Sequence, residues 1–135
     1  MTCTVNREER YYFKMLWEQI IQGEPASKAN SRRLVTFGGK PRVIKSKKAL
    51  DYSREFAVQV KAPEQIIIDD ISVTVHVWYK TRRPDLDPSL IFDLLQKAEV
   101  IKNDRQIKEI HAYHHLDKEN PRAWITIQRC QGESG

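Results

Sequence analysis

Apolar and polar residues alternate most strictly from Ile71 to Tyr79, where isoleucine, valine and tyrosine take every second position. Alternation with a period of two predicts a β-strand that turns one face toward the core. Two further strands are predicted over Gln106 to His114 and over Ala123 to Ile127, with a turn at Lys118 to Pro121 between them. These strands are expected to share one sheet.

Three segments carry apolar residues at helical spacing instead. Arg7 to Ile21 predicts a leading amphipathic helix, although its last turn is also compatible with a strand. A second helix is predicted from the N-cap Ser46 to about Val60. For the third, Asp87 is the expected N-cap and Pro88 the first residue. Its apolar stripe consists of Leu90, Ile91, Leu94, Leu95 and Ala98.

The order of these elements predicts the fold class. Arg33 to Ile44 is typical of a β-hairpin with Gly38 and Gly39 at its tip. The 135 residues suit one domain, 1–135, and no internal repeat divides them. We therefore expect a single α+β domain with one mixed β-sheet covered by helices. Residues 1–19 are expected to form an N-terminal helical extension, and residues 131–135 a disordered tail.

Composition narrows the class of protein. The chain is 40% hydrophobic and 30% charged, and no apolar run approaches the roughly 20 residues that a membrane span requires. Its first residues carry charge where a signal peptide would be apolar, which predicts a cytoplasmic protein. Cys3 and Cys130 have no CxxC partner, so reduced thiols are expected.

The net charge of +5 is concentrated in one segment. Residues 27–54 contain nine basic residues and one acidic residue, which leaves 14 basic and 17 acidic residues elsewhere. Such a segment predicts a surface that binds a polyanion, although a solvated, lysine-rich loop is the plain alternative. The candidate DNA-binding residues are Lys28, Arg32, Arg33, Lys40, Arg42, Lys45, Lys47, Lys48, Arg82 and Arg83.

Three aspartates form a candidate metal site. Asp85 and Asp87 lie two residues apart in an extended segment, so their side chains can point the same way. Asp104 follows the helix that begins after Asp87. Two or three carboxylates are sufficient for Mg²⁺, which keeps several waters for substrate phosphates. The alternative is that Asp87 only caps the helix.

The run RRPDLDPSLIFDLLQKAEVIKNDRQI resembles the RusA-type Holliday-junction resolvases, in which an R-x-D-L-D segment, an amphipathic helix and an acidic pair before Gln follow one another. The segments GEPASKANSRR and IKSKKALDY resemble the leading part of phage members, and together the resemblance covers Ile20 to Ile127. It implies a RusA-like homodimer of phage or prophage origin that resolves four-way DNA junctions by paired symmetric nicks. It also implies that Asp85, Asp87 and Asp104 hold a catalytic Mg²⁺, for which Mn²⁺ can substitute.

Three positions depart from that family pattern. Pro88 stands where the family usually has Asn, and Asn103 replaces the first acid of the acidic pair. The lysine of the family's helix has no counterpart, so Lys97, Lys102 or Lys80 are the candidate substitutes. These departures leave open the alternative that the chain is a junction-binding protein whose nuclease activity has decayed. A nuclease that prefers flaps or forks also remains open, and a basic RNA-binding protein ranks last.

Other candidate sites are weaker. His111, His114 and His115 suggest zinc, but only His111 and His115 share a strand face and no cysteine or glutamate completes a tetrahedral set. Trp78 and Trp124 lie on predicted strands, where a half-buried aromatic is usual, and the sequence does not indicate base stacking. The chain has no P-loop and no dinucleotide-binding fingerprint, so no nucleotide cofactor is expected.

Overall fold

A computed structural model of the chain describes residues 15–26, 32–37 and 39–130. For residues 32–37 and 40–45 it describes the backbone but not the side chains. Its strands are β1 (Met15–Gln22), β2 (Arg32–Phe37), β3 (Lys40–Lys45), β4 (Ile71–Tyr79), β5 (Ile107–Leu116) and β6 (Arg122–Arg129). Its helices are α1 (Lys47–Gln59) and α2 (Ser89–Lys97), and a 3₁₀ turn spans Asp104–Gln106.

Four of the strands form one sheet in the order β1-β6-β4-β5. β4 runs parallel to β5 and antiparallel to β6, which in turn pairs antiparallel with β1. The hairpin β2–β3 is a separate two-stranded sheet. The prediction of a single α+β domain built on one mixed sheet is confirmed.

The core lies between this sheet and the two helices. On β4 the side chains of Ile71, Val73, Val75, Val77 and Tyr79 are completely buried. They belong to one apolar cluster with the inner faces of α1 and α2, which contribute Phe56, Ile91 and Leu95 among others. The opposite face of β4, with His76 and Trp78, is only half-buried. Burial of one face explains the strict alternation in the sequence.

The predicted leading helix is wrong for its described part, because residues 15–22 form β1 and pair with β6. Trp17 and Ile21 are buried and Gln19 lies between them in the strand. The Gln19 amide donates to the carbonyl oxygen of Gln59 and accepts from the backbone N–H of Lys61. Strand pairing and these bonds override the helical spacing of the apolar residues. Residues 1–14 and the predicted tail, residues 131–135, lie outside the described residues.

The other predicted elements are confirmed within a residue or two. β2 and β3 pair antiparallel around the predicted tip, where Gly39 has a φ of 82°. α1 begins after Ser46, whose side chain accepts a hydrogen bond from the Ala49 N–H. In the described part of the chain, neither helix is long and apolar enough to cross a membrane. Cys130 is buried and disulfide-bonded, so the expectation of a reduced thiol is wrong for this residue.

Candidate active site and nucleic-acid interface

The loop that carries Asp85 and Asp87 is attached to the end of the sheet. The Tyr79 hydroxyl, on the last residue of β4, donates to the carbonyl oxygen of Asp85 at 3.3 Å. The His114 Nε2 donates to the carbonyl oxygen of Pro84 at 3.1 Å, and its ring stacks on Tyr79. Burial raises the pKa of Tyr79 to about 12, so its hydroxyl keeps its proton. The loop backbone is therefore held from two strands.

Asp87 connects this loop to α2. Its carboxylate Oδ1 accepts hydrogen bonds from the backbone N–H and the hydroxyl of Ser89. α2 begins at Ser89, one residue later than predicted, with Pro88 at the N-cap position. Asp87 nevertheless satisfies a backbone donor of the first turn, as an N-cap would. Pro88 fits this position because a proline at a helix start gives up no helical hydrogen bond.

Asp104 lies on a second loop, which Gln106 organises. The buried Gln106 side chain accepts from the N–H groups of Lys102 and Asn103 and donates to the carbonyl oxygens of Ile67 and Asp69. Asn103 caps the short 3₁₀ turn by accepting from the Arg105 N–H. The amide oxygen of Asn103 is thus engaged with the backbone. Asn103 stands where the family has the first acid of its acidic pair, and in this chain its side chain stabilises the turn.

The two acidic loops lie at opposite ends of α2. Asp85 and Asp87 follow the end of β4, whereas Asp104 precedes the start of the parallel strand β5. The nine residues of α2 span about 13 Å at 1.5 Å per residue. Among the described residues, no three histidine, cysteine, aspartate or glutamate side chains are close enough to hold one metal ion. The expected convergence of three aspartates is not found within one chain, because a strand-helix-strand crossover separates the loops.

The candidate helper lysines divide between the two loops. Lys97 is the last residue of α2 and Lys102 precedes the Asp104 turn, and both are exposed. Lys80 lies at the other end, directly after β4. Within one chain, Lys97 and Lys102 accompany Asp104, and only Lys80 accompanies Asp85 and Asp87.

Glu24 links the start of α1 to the loop after β4. One carboxylate oxygen accepts from the Lys48 ammonium and the other from the Lys80 backbone N–H, at 2.6 and 2.7 Å. Burial alone would raise the pKa of Glu24, but its hydrogen bonds to Lys48 and Lys80 outweigh that effect and lower it. Glu24 is therefore ionised at neutral pH, and it neutralises part of the basic surface.

The structure places the candidate DNA-binding residues in three groups. Arg82 and Arg83 are exposed on the loop after β4, and Lys47 is exposed at the start of α1. Lys48, beside Lys47, is half-buried and paired with Glu24. On the hairpin only the backbone of Arg32, Arg33, Lys40, Arg42 and Lys45 is described, and Lys28 lies outside the described residues.

The three candidate zinc histidines have separate partners. His111 Nε2 binds the Glu109 carboxylate, His114 binds the loop carbonyl of Pro84, and His115 Nε2 lies 2.9 Å from the Nδ1 of His76. No metal-binding group of three forms anywhere in the described part of the chain. The zinc alternative is therefore not supported, because each ring already makes a different hydrogen bond.

Gln106, His114 and Glu24 are the positioning residues that sequence patterns missed. Each one bonds to backbone that is 30 or more residues away in the chain. The only sequence signal was the glutamine that follows the acidic pair in the resembled family. Contacts between residues so far apart in the chain depend on tertiary structure, so periodicity and spacing in the sequence do not predict them.

Replacement of Gln106 by Ala should lower the free energy of unfolding by about 2–3 kcal/mol, since it leaves the part-buried Asn103 N–H and the Asp69 carbonyl oxygen without their partner. The Lys102 N–H and the Ile67 carbonyl oxygen also bond to each other, so each of them loses only one of its two bonds. Urea denaturation measures this loss. Gln96→Ala is the matched control, because the side chain of exposed Gln96 accepts a hydrogen bond from the Asp104 N–H alone among the described residues. It should cost less than about 1 kcal/mol. Equal losses in the two variants would contradict the role given to Gln106.

Comparison with known proteins places this geometry in a family. Residues 22–128 match the family model described as Endodeoxyribonuclease RusA. The matched segment contains both acidic loops, α2, the whole of β4 and β5, and all of β6 except its last residue. A search of curated proteins finds no significant match. The family match confirms the resemblance seen in the sequence and covers most of the chain, which therefore belongs to the RusA endodeoxyribonuclease family.

Proposed function

We propose that the chain is a Mg²⁺-dependent endonuclease that resolves four-way DNA junctions as a symmetric homodimer. The family match supports a nuclease acting on branched DNA. One structural observation carries the assignment of residues: both acidic loops are fixed in place, one by Tyr79 and His114 and the other by Gln106. Asp85, Asp87 and Asp104 are the proposed metal ligands, and Mn²⁺ is expected to substitute for Mg²⁺.

A second copy of the chain explains how three separated aspartates could serve one site. A two-fold axis perpendicular to the strands reverses the strand direction of the partner. The Asp104 end of one copy then faces the Asp85 and Asp87 end of the other. We propose that each metal site takes Asp85 and Asp87 from one subunit and Asp104 from its partner. A two-fold symmetric dimer has two such sites, which matches the two cuts that a four-way junction requires.

The chain's own residues then have distinct tasks. A bound Mg²⁺ supplies charge neutralisation and an activated water for attack on phosphorus. The carboxylates of Asp85 and Asp87 would face this site from a loop held by Tyr79, whose protonated hydroxyl adds no further negative charge. In the mixed site, Lys97 and Lys102 would arrive with Asp104 and provide the cation that the family's helix lysine supplies, which has no counterpart near the start of α2.

The basic residues are proposed to bind phosphates and to supply affinity without reading bases. Arg82 and Arg83 precede Asp85 in the same loop and are exposed, so they are suited to hold the strand that is cut. Lys47 and the basic hairpin would contact DNA farther from the scissile phosphate. Selection of a junction over a linear duplex must then come from the arrangement of the two sites.

Lys47 and Lys48 give a matched test of this surface. Lys47→Ala should reduce the slope of log affinity against log salt by about 0.9, the value for one lost phosphate contact. Lys48→Ala should change the slope less, because the Lys48 ammonium is paired with Glu24 at 2.6 Å. Titrations of junction DNA over a series of salt concentrations measure both slopes. Equal effects of the two variants would show that the Glu24 pair does not control phosphate binding.

The proposal is tested by incubating the protein with four-way junction, fork, flap and linear duplex DNA, with and without Mg²⁺. Metal-dependent cutting of the junction in preference to the other substrates supports it. Preferred cutting of flaps or forks would support a nuclease with a different substrate. Tight junction binding without cutting under any metal would favour a decayed nuclease, as Pro88, Asn103 and the missing helix lysine allow.

A further inference from the structure

The half-buried outer face of the sheet carries an array of aromatic rings. Strand register places Trp124, His76 and Tyr113 side by side on β6, β4 and β5. The His76 ring centroid lies 5.3 Å from that of Trp124 and 4.6 Å from that of Tyr113, with interplanar angles of 25° and 14°. In the next row, Trp78 stacks on His115 at 4.6 Å, and the Arg122 guanidinium lies 4.0 Å from the centroid of Trp78.

A groove opens on this face between the two tryptophans. Its volume is about 570 Å³, and it is lined by Glu18, Gln19, Ile20, Trp78, Arg122 and Trp124. This volume falls in the roughly 300–1,000 Å³ range of small-ligand sites, which combine aromatic walls with a few polar groups. The groove thus has the size and lining to hold a flat, aromatic ligand.

The charges in the groove argue against a phosphate as that ligand. Arg122 is paired with Asp117 at 2.8 Å. Glu18 adds a carboxylate, which accepts a hydrogen bond from the Trp124 indole N–H at 2.6 Å. A phosphate in the groove would be repelled by the Glu18 carboxylate, and Arg122, the only cation among the described residues that line the groove, is already paired with Asp117. The Trp78 ring is flanked by the His115 ring and the Arg122 guanidinium. A neutral nucleobase would instead stack on the Trp124 ring and on this guanidinium plane, and its amino groups could donate to the Glu18 carboxylate.

The groove lies on the opposite face of the sheet from Tyr79 but toward the same end of β4, where the loop that carries Asp85 is attached. Trp78 immediately precedes Tyr79, whose hydroxyl contacts the Asp85 carbonyl. The exposed cations Lys80, Arg82 and Arg83 follow in the same stretch of chain. A DNA strand whose phosphates bind these cations would therefore pass the end of β4 that carries Trp78.

We propose that the groove between Trp78 and Trp124 binds an unpaired nucleobase of a DNA strand by stacking. Every base has a ring face, so the site is expected to accept all four bases and to require only that the base be free of its duplex. The proposal rests on the proposed function for DNA as the ligand. It adds to that function a preference for strands that are open next to the cut.

The test compares oligothymidylate with an abasic oligomer that has the same number of phosphates, in EDTA so that no cleavage occurs. The wild-type protein should bind oligothymidylate on the order of tenfold more tightly, because only this oligomer can stack. Trp78→Thr with Trp124→Thr should bring the affinity ratio close to one. The pair Trp78→Phe with Trp124→Phe keeps the rings and should retain most of the preference.

Tyr113→Thr is the matched control, since it removes an exposed ring of the same face that does not line the groove. It should leave the ratio unchanged. Tryptophan fluorescence gives a measurement on the unaltered protein, because Trp17 is buried and hydrogen-bonded to the Lys61 carbonyl. Oligothymidylate should quench the emission of Trp78 and Trp124, and the abasic oligomer should not.

A wild-type ratio near one without selective quenching would overturn the proposal. So would an unchanged ratio in a folded double-threonine variant. A second copy of the chain that covers the groove would also overturn the proposal. In that case the wild-type affinity ratio would be near one, and analytical ultracentrifugation would show that the double-threonine variant dissociates into monomers. Junction cleavage with a ratio of one would defeat this proposal alone, whereas a tenfold ratio without cleavage would defeat only the proposed nuclease.

Discussion

Asp85→Asn, Asp87→Asn and Asp104→Asn should each lower the rate of junction cleavage by more than about a hundredfold, the upper loss seen when a group that merely supports a metal ligand is removed. Each change removes a negative ligand for Mg²⁺ but adds no repulsion toward phosphate. Junction binding should therefore stay near the wild-type level. Asp87→Asn should also preserve the start of α2, because asparagine caps helices about as well as aspartate.

Single-turnover cleavage and gel-shift titration measure the two effects separately. Asp93→Asn is the matched control, because Asp93 is an exposed acid of α2 that lies between the two loops. It should cut at the wild-type rate. Wild-type cleavage by Asp104→Asn would show that Asp104 is not a ligand. Equal losses in all four variants would point to net charge and not to specific ligands.

The second large effect is the recovery of cleavage from two inactive proteins. A chain with Asp85→Asn and Asp87→Asn still provides Asp104, and a chain with Asp104→Asn still provides the other two aspartates. If each site draws on both subunits, a mixed dimer contains one intact site. Random mixing makes about half of the dimers mixed, so nicking should recover to about a quarter of the wild-type rate.

Recovered products should be single nicks, since the second site of a mixed dimer lacks all three aspartates. Titration with Mn²⁺ followed by electron paramagnetic resonance supplies a readout apart from cleavage, with tight binding in the mixture and in neither parent. A site contained in one chain would give no recovery at all. That result would leave the nuclease assignment intact and would remove only the sharing of Asp104 between subunits.

The parts of the fold that sequence patterns predicted are those that local physics determines. The alternation from Ile71 to Tyr79 gave both bounds of β4, because one face of this strand is completely buried. Ser46 predicted the start of α1 because its side chain bonds to the N–H of Ala49, only three residues further along the chain. The helical spacing of apolar residues from Arg7 to Ile21, such as Trp17 and Ile21 four residues apart, predicts a helix whose last turn is also compatible with a strand. The pairing of residues 15–22 with β6, more than 100 residues away, determined the outcome.

The candidate site was predictable in composition but not in arrangement. The aspartates could be named from the sequence, yet their separation follows from the crossover between β4 and β5, which runs along the whole of α2. The ring array was not predictable for a similar reason. Trp78 and Trp124 become neighbours only through the register of β4 with β6, and a half-buried aromatic in a strand is by itself ordinary.

The most direct test of the central claim is cleavage of an immobile four-way junction labelled on each strand in turn, with Mg²⁺ present or absent. We expect paired nicks in opposite strands, at positions related by the two-fold symmetry of the junction, and only with the metal. Binding to the junction should exceed binding to a linear duplex by on the order of a hundredfold, because only the junction can occupy both sites together. Nicks without symmetric partners, or equal binding to junction and duplex, would contradict the account.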